Sequence, residues 1–247
     1  MGYDNILKNA VDNEGKTALH YAAINDNIEV LDKLIYSPGR NINAADNEGK
    51  TALHYAAIND NSEVVNALIY SEGCDVNAAD KDGKTALHYA AINENYHAAN
   101  ALIHSDDCDI DAVDNEGKTA SHYAAINEDD SIIDLLTDLG YRCDWDLSDD
   151  EGKLPLHYAV ISGNIAIAKK IKKSTCSFPH HDNNFKSPLH YAANDYRMFF
   201  TLCTRRYYDG HTSVYDRNPY TLEDALECYD EAAQSIKYDI AAWEGGM

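Results

Sequence analysis

Over residues 12–35 the apolar positions fall into two short groups at helical spacing. In "TALHYAAIN", Ala18, Leu19, Ala22 and Ala23 share one helical face, and in "IEVLDKLI", Ile28, Leu31, Leu34 and Ile35 share another. Polar residues separate the two groups, so the pattern predicts a pair of short helices. The stretch that leads to the next pair, "NINAADNEGK", carries Asn, Asp and Gly at turn positions. Gly49 stands where the backbone must twist in a way a side chain resists. Thr17, Thr51 and Thr85 directly precede a first helix, where a hydroxyl can accept an unpaired backbone N–H.

The same text then returns along the chain. "DNEGKTALHYAAIN" begins at Asp12 and again at Asp46, followed by close copies at Asp80 and Asp114 and looser ones at Asp149 and Asp182. Its histidine falls at His20, His54, His88, His122, His157 and His190, with spacings of 34, 34, 34, 35 and 33. A fixed period of this length signals stacked modules. Each helix is too short and too one-sided to be stable alone, so neighbouring modules must cover one another and the fold is a one-dimensional stack.

These residues resemble the ankyrin repeat, whose pattern runs roughly D-x-x-G-x-T-P-L-H-x-A-A, then a Gly-centred helix turn, V-V-x-x-L-L and G-A-x-V-N-A. Ala52 replaces the usual Pro, which Pro155 and Pro188 restore; Asp26, Asp60 and Glu94 replace the usual Gly between the helices, which Gly163 keeps. The resemblance implies an all-α ankyrin-repeat solenoid of stacked helix-turn-helix pairs with β-turn loops between repeats. Three segments are expected: a capping helix over 1–11, repeats one to six over 12–215, and a degenerate seventh repeat over 216–247 acting as the C-terminal cap. Tyr3, Ile6, Leu7 and Ala10 make the first cap amphipathic, while Leu222 and Ala225 keep the last segment in register. Met198–Ser213 fits the pattern worst and suggests an insertion or an irregular helix.

Charge changes the picture of what such a stack could hold. The formal net charge is −22; residues 1–150 carry 30 acidic and 9 basic side chains, a net of −21, and residues 151–247 carry 12 and 11, a net of −1. That field repels phosphate backbones, so nucleic acid is excluded as a ligand of the first four modules and a basic protein surface is favoured. The alternative is that acid keeps a repetitive chain soluble. No apolar run reaches membrane-spanning length, and the N-terminus has no basic-then-apolar leader, which points to a cytoplasmic protein without a membrane partner. A regular, capped array is expected to be monomeric, with self-association through exposed isoleucines as the alternative.

The residues that look chemical read as structure. Six histidines at one per module lie about 8–10 Å apart, too far for two to share a zinc ion, so no metal or cofactor is expected. The resemblance implies that each is held by hydrogen bonds to the turns between modules. Cys74, Cys108, Cys143 and Cys176 form a ladder whose step exceeds the reach of a disulfide. "DKDGK" at Asp80 lacks the closing Glu of a calcium loop and reads as a turn; "KKIKK" at Lys169 reads as a solvated helix face that balances the acidic modules before it. No enzyme is expected.

In proteins that this chain resembles, partners lie along the concave side, on the turn tips and the exposed end of the first helix. By position the tips are Asn47, Glu48 and Lys50, then Lys81, Asp82 and Lys84, then Asn115, Glu116 and Lys118. The helix ends are Ile24 and Asn25, Ile58 and Asn59, Ile92 and Asn93, Ile126 and Asn127, and Ile161 and Ser162. The recurring Ile forms either an apolar recognition strip suited to an extended or repetitive partner, or a sideways packing element. The expected function is a non-catalytic scaffold for protein-protein interaction. Two alternatives stand beside it: a host-directed effector of an intracellular microbe, suggested by the abundance of Asn, Ile, Tyr and Lys, and a C-terminal segment from about Met198 with its own docking or catalytic role.

Overall fold

A computed structural model describes residues 9–138, 143–174 and 180–203. Among these residues the chain forms helices and turns and no strand. The helices are α1 (Ala18–Ile24), α2 (Ile28–Ile35), α3 (Ala52–Ile58), α4 (Ser62–Ile69), α5 (Ala86–Ile92), α6 (Tyr96–Ile103), α7 (Ala120–Ala124), α8 (Ser131–Asp138), α9 (Pro155–Ile161), α10 (Ile165–Ser174), α11 (Pro188–Tyr191) and α12 (Tyr196–Cys203). A 3-10 turn, Ala192–Asn194, extends α11. The odd-numbered helices pack against one another in one row and the even-numbered helices in a second, and each pair closes as a hairpin. Of the capping helix expected over 1–11, residues 1–8 lie outside the described residues, as do the degenerate seventh repeat over 216–247, Cys176 and residues 204–215.

Composition explains the two rows. The odd helices meet through Ala22–Ala23, Ala56–Ala57, Ala90–Ala91, Ala124–Ala125 and Ala159–Val160, all buried, and such small side chains let backbones approach closely. The even helices carry the bulk: Leu31, Leu68, Leu102, Leu136 and Ile171 are among the fully buried side chains. Truncating one of them to Ala costs on the order of 2–5 kcal/mol. In the first module the rule relaxes: Ala18 is exposed, whereas Ala52, Ala86 and Ala120, each with a described module before it, are buried.

Three ladders of hydrogen bonds join the modules. In the first, each turn donates a backbone N–H to the turn before it: Asn47 to Glu14 at 2.8 Å, Lys81 to Glu48 at 3.0 Å, Asn115 to Asp82 at 2.9 Å, Asp150 to Glu116 at 3.0 Å and Asn183 to Glu151 at 2.9 Å. Gly83 shows why the turn needs glycine: its φ is +79, and a Cβ there would sit 2.6 Å from Asn115 Oδ1 and 2.7 Å from Asn115 N. The sixth turn places Phe185 at this position with φ 60 and its ring exposed. The second ladder runs through Asn9, Asn43 and Asn77; Asn43, for instance, donates to Gly73 O at 2.7 Å and accepts from Asp75 N at 2.9 Å. Asn9 repeats that geometry with Gly39 and Asn41, so the chain just before the first module already follows the repeat.

The third ladder explains the residues that replace glycine between the helices. Asp26, Asp60 and Glu94 adopt φ of 53, 57 and 59, in the left-handed region that Gly163 also occupies at 77. Their side chains reach the following module: Asp60 Oδ1 accepts from Ala98 N at 2.9 Å and Glu94 Oε1 from Glu128 N at 3.2 Å. The hydrogen bond offsets part of the backbone strain that an L-residue carries there. Of the stretch Met198–Ser213 expected to be irregular, only Met198–Cys203 is described. Met198–Cys203 belongs to α12, an eight-residue helix with Met198, Phe199 and Leu202 buried, and the irregular element is the shortened α11.

The threonine caps differ from expectation. The Thr17 hydroxyl approaches His20 Nδ1 at 2.9 Å, and the Thr17 backbone N–H donates to the same nitrogen at 3.0 Å. The imidazole, three residues into the helix, is therefore what satisfies the start of the helix. Leu154 makes the point, since it has no hydroxyl and its N–H still donates to His157 Nδ1 at 3.0 Å.

Candidate functional site

The face built from the turn tips and the exposed side of the odd helices is a set of parallel rows, one residue type per row. The innermost row is histidine. The Nδ1 of each accepts, so Nε2 carries the proton and donates to the carbonyl of the following turn: His20 to Lys50, His54 to Lys84 and His88 to Lys118 at 2.9 Å, His122 to Lys153 at 3.0 Å, His157 to Lys186 at 3.2 Å. Both ring nitrogens of these five are committed. Burial pushes His54, His88 and His122 below the ordinary imidazole range despite the bond to the carbonyl, and His157 to about 4.

The next row is tyrosine, which the sequence reading passed over. Tyr21, Tyr55, Tyr89, Tyr123, Tyr158 and Tyr191 each donate a 2.5 Å hydrogen bond to the aspartate that opens the same module, Asp12, Asp46, Asp80, Asp114, Asp149 and Asp182 respectively. Successive modules interlock here, because His20 packs edge-on against Tyr55, His54 against Tyr89 and His88 against Tyr123 at centroid separations of 5.9, 5.9 and 6.0 Å. Burial and the aspartate together raise the Tyr55 phenol to about 12. Burial alone would raise the carboxyls of Asp46, Asp80 and Asp114, but the tyrosine hydroxyl and two turn N–H groups outweigh it and hold them below the usual range. The signal was in the sequence: Tyr recurs at a position that the repeat pattern leaves open.

The lysines of the turns lie over this tyrosine row instead of projecting from it. Lys16 sits 5.4 Å from the Tyr55 ring centre and 2.5 Å from Glu14. Lys50 sits 5.2 Å from Tyr89 and 3.7 Å from Asp80, and Lys84 lies 5.9 Å from Tyr123 and 3.6 Å from Asp114. Lys118 lies 5.6 Å from Tyr158 and 2.6 Å from Glu116, and Lys153 pairs with Glu151. These lysine side chains are 15–21% exposed, while Glu14, Asp82, Glu116 and Glu151 are 64–74% exposed. The Glu and Lys that read as balanced pairs in sequence are thus unequal in space. The carboxylates are the more exposed partners; Lys50 and Lys84 pair inward with Asp80 and Asp114, whereas Lys16, Lys118 and Lys153 pair with the exposed Glu14, Glu116 and Glu151 of their own turns.

The amides divide similarly. Asn59 donates to Ile24 O at 2.7 Å and Asn127 to Ala91 O at 2.6 Å, stitching one module to the one before. Asn47 and Asn115 do the same between turns, to Asn13 O and Lys81 O at 2.9 and 2.8 Å. Asn25 and Asn93 each bond a carbonyl of their own helix. Glu48, Lys81 and Asp82 are exposed at the tips. The isoleucine row runs along the far edge: Ile24 and Ile58 are half-buried, and Ile92, Ile126 and Ile161 are 36%, 44% and 50% exposed. Between the fourth and fifth modules Ile126 borders an open depression lined by Asn127, Glu128, Ser162 and Gly163.

Other candidates resolve into structure. Asp80 Oδ1 accepts from Asp82 N and Lys84 N at 2.9 Å, the closure of a turn. Lys170 of the basic run bridges Asp130, just before α8, and Asp134 within it, both at 2.6 Å, so that run balances acid in the preceding module. Cys74 is half-buried, and Cys108 and Cys143 are buried. Burial pushes Cys74 up to about 11. Among the described residues no helix is long and apolar enough to cross a membrane.

Helical hairpins stacked at a fixed period, tied by turn ladders and histidine caps, define a repeat solenoid. Comparison with known proteins agrees with that class. The family described as "Ankyrin repeats (3 copies)" matches residues 2–80, 19–114, 65–144 and 127–211. The chain belongs to the ankyrin-repeat family. Among solved structures it is similar to the ankyrin repeat domain of Bcl-3, described as a unique member of the IkappaB protein family. The TM-score is 0.68 and the identity 28%, over 76% of this chain and 84% of that one. No curated protein matches. Ankyrin-repeat domains typically serve protein-protein interaction and are generally non-catalytic.

Proposed function

We propose that this protein is a non-catalytic scaffold that docks a basic protein partner on its concave, turn-tip face. The observation that supports it is the excess of acid over residues 1–150, a net of −21, together with unequal exposure at the tips: Glu14, Asp82, Glu116 and Glu151 are 64–74% exposed, whereas the lysines they pair with, Lys16, Lys84, Lys118 and Lys153, are 15–19% exposed. A surface of one sign steers and selects partners of the other. Residues bound to this role are Glu48, Asp82 and Glu116 at the tips, with Ile58, Ile92 and Ile126 on the opposite edge. Lys50, Lys84, Lys118, Asn59 and Asn127 support it by holding the face in shape.

The test is capture of partners from lysate on the immobilised full chain, at about 50 mM and about 300 mM salt, across which the screening length falls by more than half. The expected result is a protein retained at low salt and released at high salt, with release also caused by the combined substitutions Glu48→Gln, Asp82→Asn and Glu116→Gln. Capture indifferent to both would sink the charge-based reading.

A further inference from the structure

The asparagine ladder changes at its fourth step. Asn9, Asn43 and Asn77 stand 34 residues apart, and the same step leads to Asp111. Each asparagine bonds twice to the loop that follows. Asn9 accepts from Asn41 N at 3.1 Å and donates to Gly39 O at 2.9 Å. Asn43 makes the same pair with Asp75 and Gly73, and Asn77 accepts from Asp109 N at 2.8 Å while donating to Asp107 O at 2.7 Å. Among the described residues Asp111 keeps the accepting half: Asp144 N lies 3.0 Å from its Oδ1 and 3.1 Å from its Oδ2. An ionised carboxylate has no proton to donate, so the other half of the rung is missing.

The surroundings disfavour a charge at this rung. Asp111 is half-buried between the loops that follow α6 and α8, and the charged groups acting on it there are Asp109 of its own loop and Asp144 of the next, both acidic. Burial raises the Asp111 carboxyl above the ordinary carboxylate range, the Asp144 N–H opposes that rise, and the Asp144 and Asp109 charges add to it. The Cys143 thiol is pushed up by burial first and then by Asp111 and Asp144, so it stays neutral. We propose that Asp111 makes the joint between these two loops pH-sensitive, weakened while its carboxyl is ionised and tightened when it takes a proton. The proton removes the repulsion from Asp109 and Asp144 and restores the donor that the asparagine rungs carry. A carboxyl raised in the fold contributes stability fully below its unfolded value of about 3.8, and loses it as pH rises through the folded value. The buried histidines respond in the opposite sense, since burial depresses His88 and His122, so only a difference between variants isolates Asp111.

The test is thermal melting of the full chain by circular dichroism between pH 7 and pH 4, with three variants. Asp111→Asn completes the rung, and Asp106→Asn removes the same charge from an exposed position in the same loop. Asn77→Asp copies the incomplete rung one module earlier. At pH 7 Asp111→Asn is expected to melt about 2–4 °C above the parent, the shift that one hydrogen bond gives in a chain of this size, and Asp106→Asn less than half as much. The gain from Asp111→Asn should shrink as pH falls toward 4, because the parent then supplies its own proton. Asn77→Asp should lose a similar amount at pH 7 and recover in acid. Three results for Asp111→Asn would each overturn the proposal. No gain at pH 7 means that the rung is not incomplete, a gain constant down to pH 4 means that no proton is involved, and a gain that Asp106→Asn matches means that net charge alone is at work. An Asn77→Asp variant as stable as the parent at pH 7 overturns it as well. None of these outcomes touches the docking reading, which rests on other residues.

Discussion

His54 shows how much one side chain carries in this protein. Its ring accepts the N–H that opens α3, donates across the module boundary to Lys84 O, and packs on Tyr89. The first of those contacts needs the neutral ring, because a proton on Nδ1 would turn its acceptor into a donor facing another donor. Burial depresses the proton affinity of His54, His88 and His122 in the fold, and that of His157 to about 4. A depressed histidine contributes stability fully above the unfolded value near 6.5, and loses it as pH falls toward the folded value. Asp46, Asp80, Asp114 and Asp182, also held low, keep their contribution until the pH drops below about 3.8 and lose it only in stronger acid. The protein's large negative charge relaxes over the same range, so the informative quantity is a difference. The gap in melting temperature between the parent and a His88→Gln variant should narrow steadily from pH 7 to pH 4, measured by circular dichroism. A gap constant over that range would remove the titration argument.

At the scale of the element, the turn is the unit that sets the spacing of everything else. Gly83 and Gly73 have nearly the same φ, +79 and +80, yet different surroundings: a Cβ at Gly83 would strike Asn115, while a Cβ at Gly73 would meet nothing within 4 Å. Their substitutions separate conformation from packing. Gly73→Ala should cost only the left-handed backbone term, on the order of 1–2 kcal/mol. Gly83→Ala must also push apart two rungs of the ladder, so its cost should exceed that of Gly73→Ala by at least about 1 kcal/mol in urea denaturation. Equal costs would mean that the turns are looser than their 2.8–3.0 Å hydrogen bonds indicate. Phe185, in left-handed backbone where the other five turns have Gly, is legible in the sequence as an exception, though its exposure is not.

For the whole molecule, the open question was whether the isoleucine row packs or recognises. Ile92 and Ile126 are over a third exposed, while Leu102 in the same stack is fully buried. Replacing Ile92 and Ile126 by Ser should lower the unfolding free energy by less than about 1 kcal/mol each, within the range of surface changes. Leu102→Ala should cost about 2–5 kcal/mol in the same denaturation assay. A loss at Ile92 comparable to that at Leu102 would assign the row to packing. The stack itself was readable from sequence because its determinants are local and repeated: a period near 34, paired alanines, a glycine per turn, and apolar residues at helical spacing all describe one module, and a module that cannot bury its face alone must stack. The character of the face was not readable. Whether Lys50 projects, whether Asn59 is free, and how far Tyr89 is covered depend on Asp80, Ile24 and His54, about 30 or more residues away, which come within reach only after the modules have stacked. Sequence decides what one module is, through short-range backbone and burial preferences, and the tertiary stack decides how far each charge is covered, because it is the neighbouring module that brings Asp80 to Lys50 and Asp114 to Lys84.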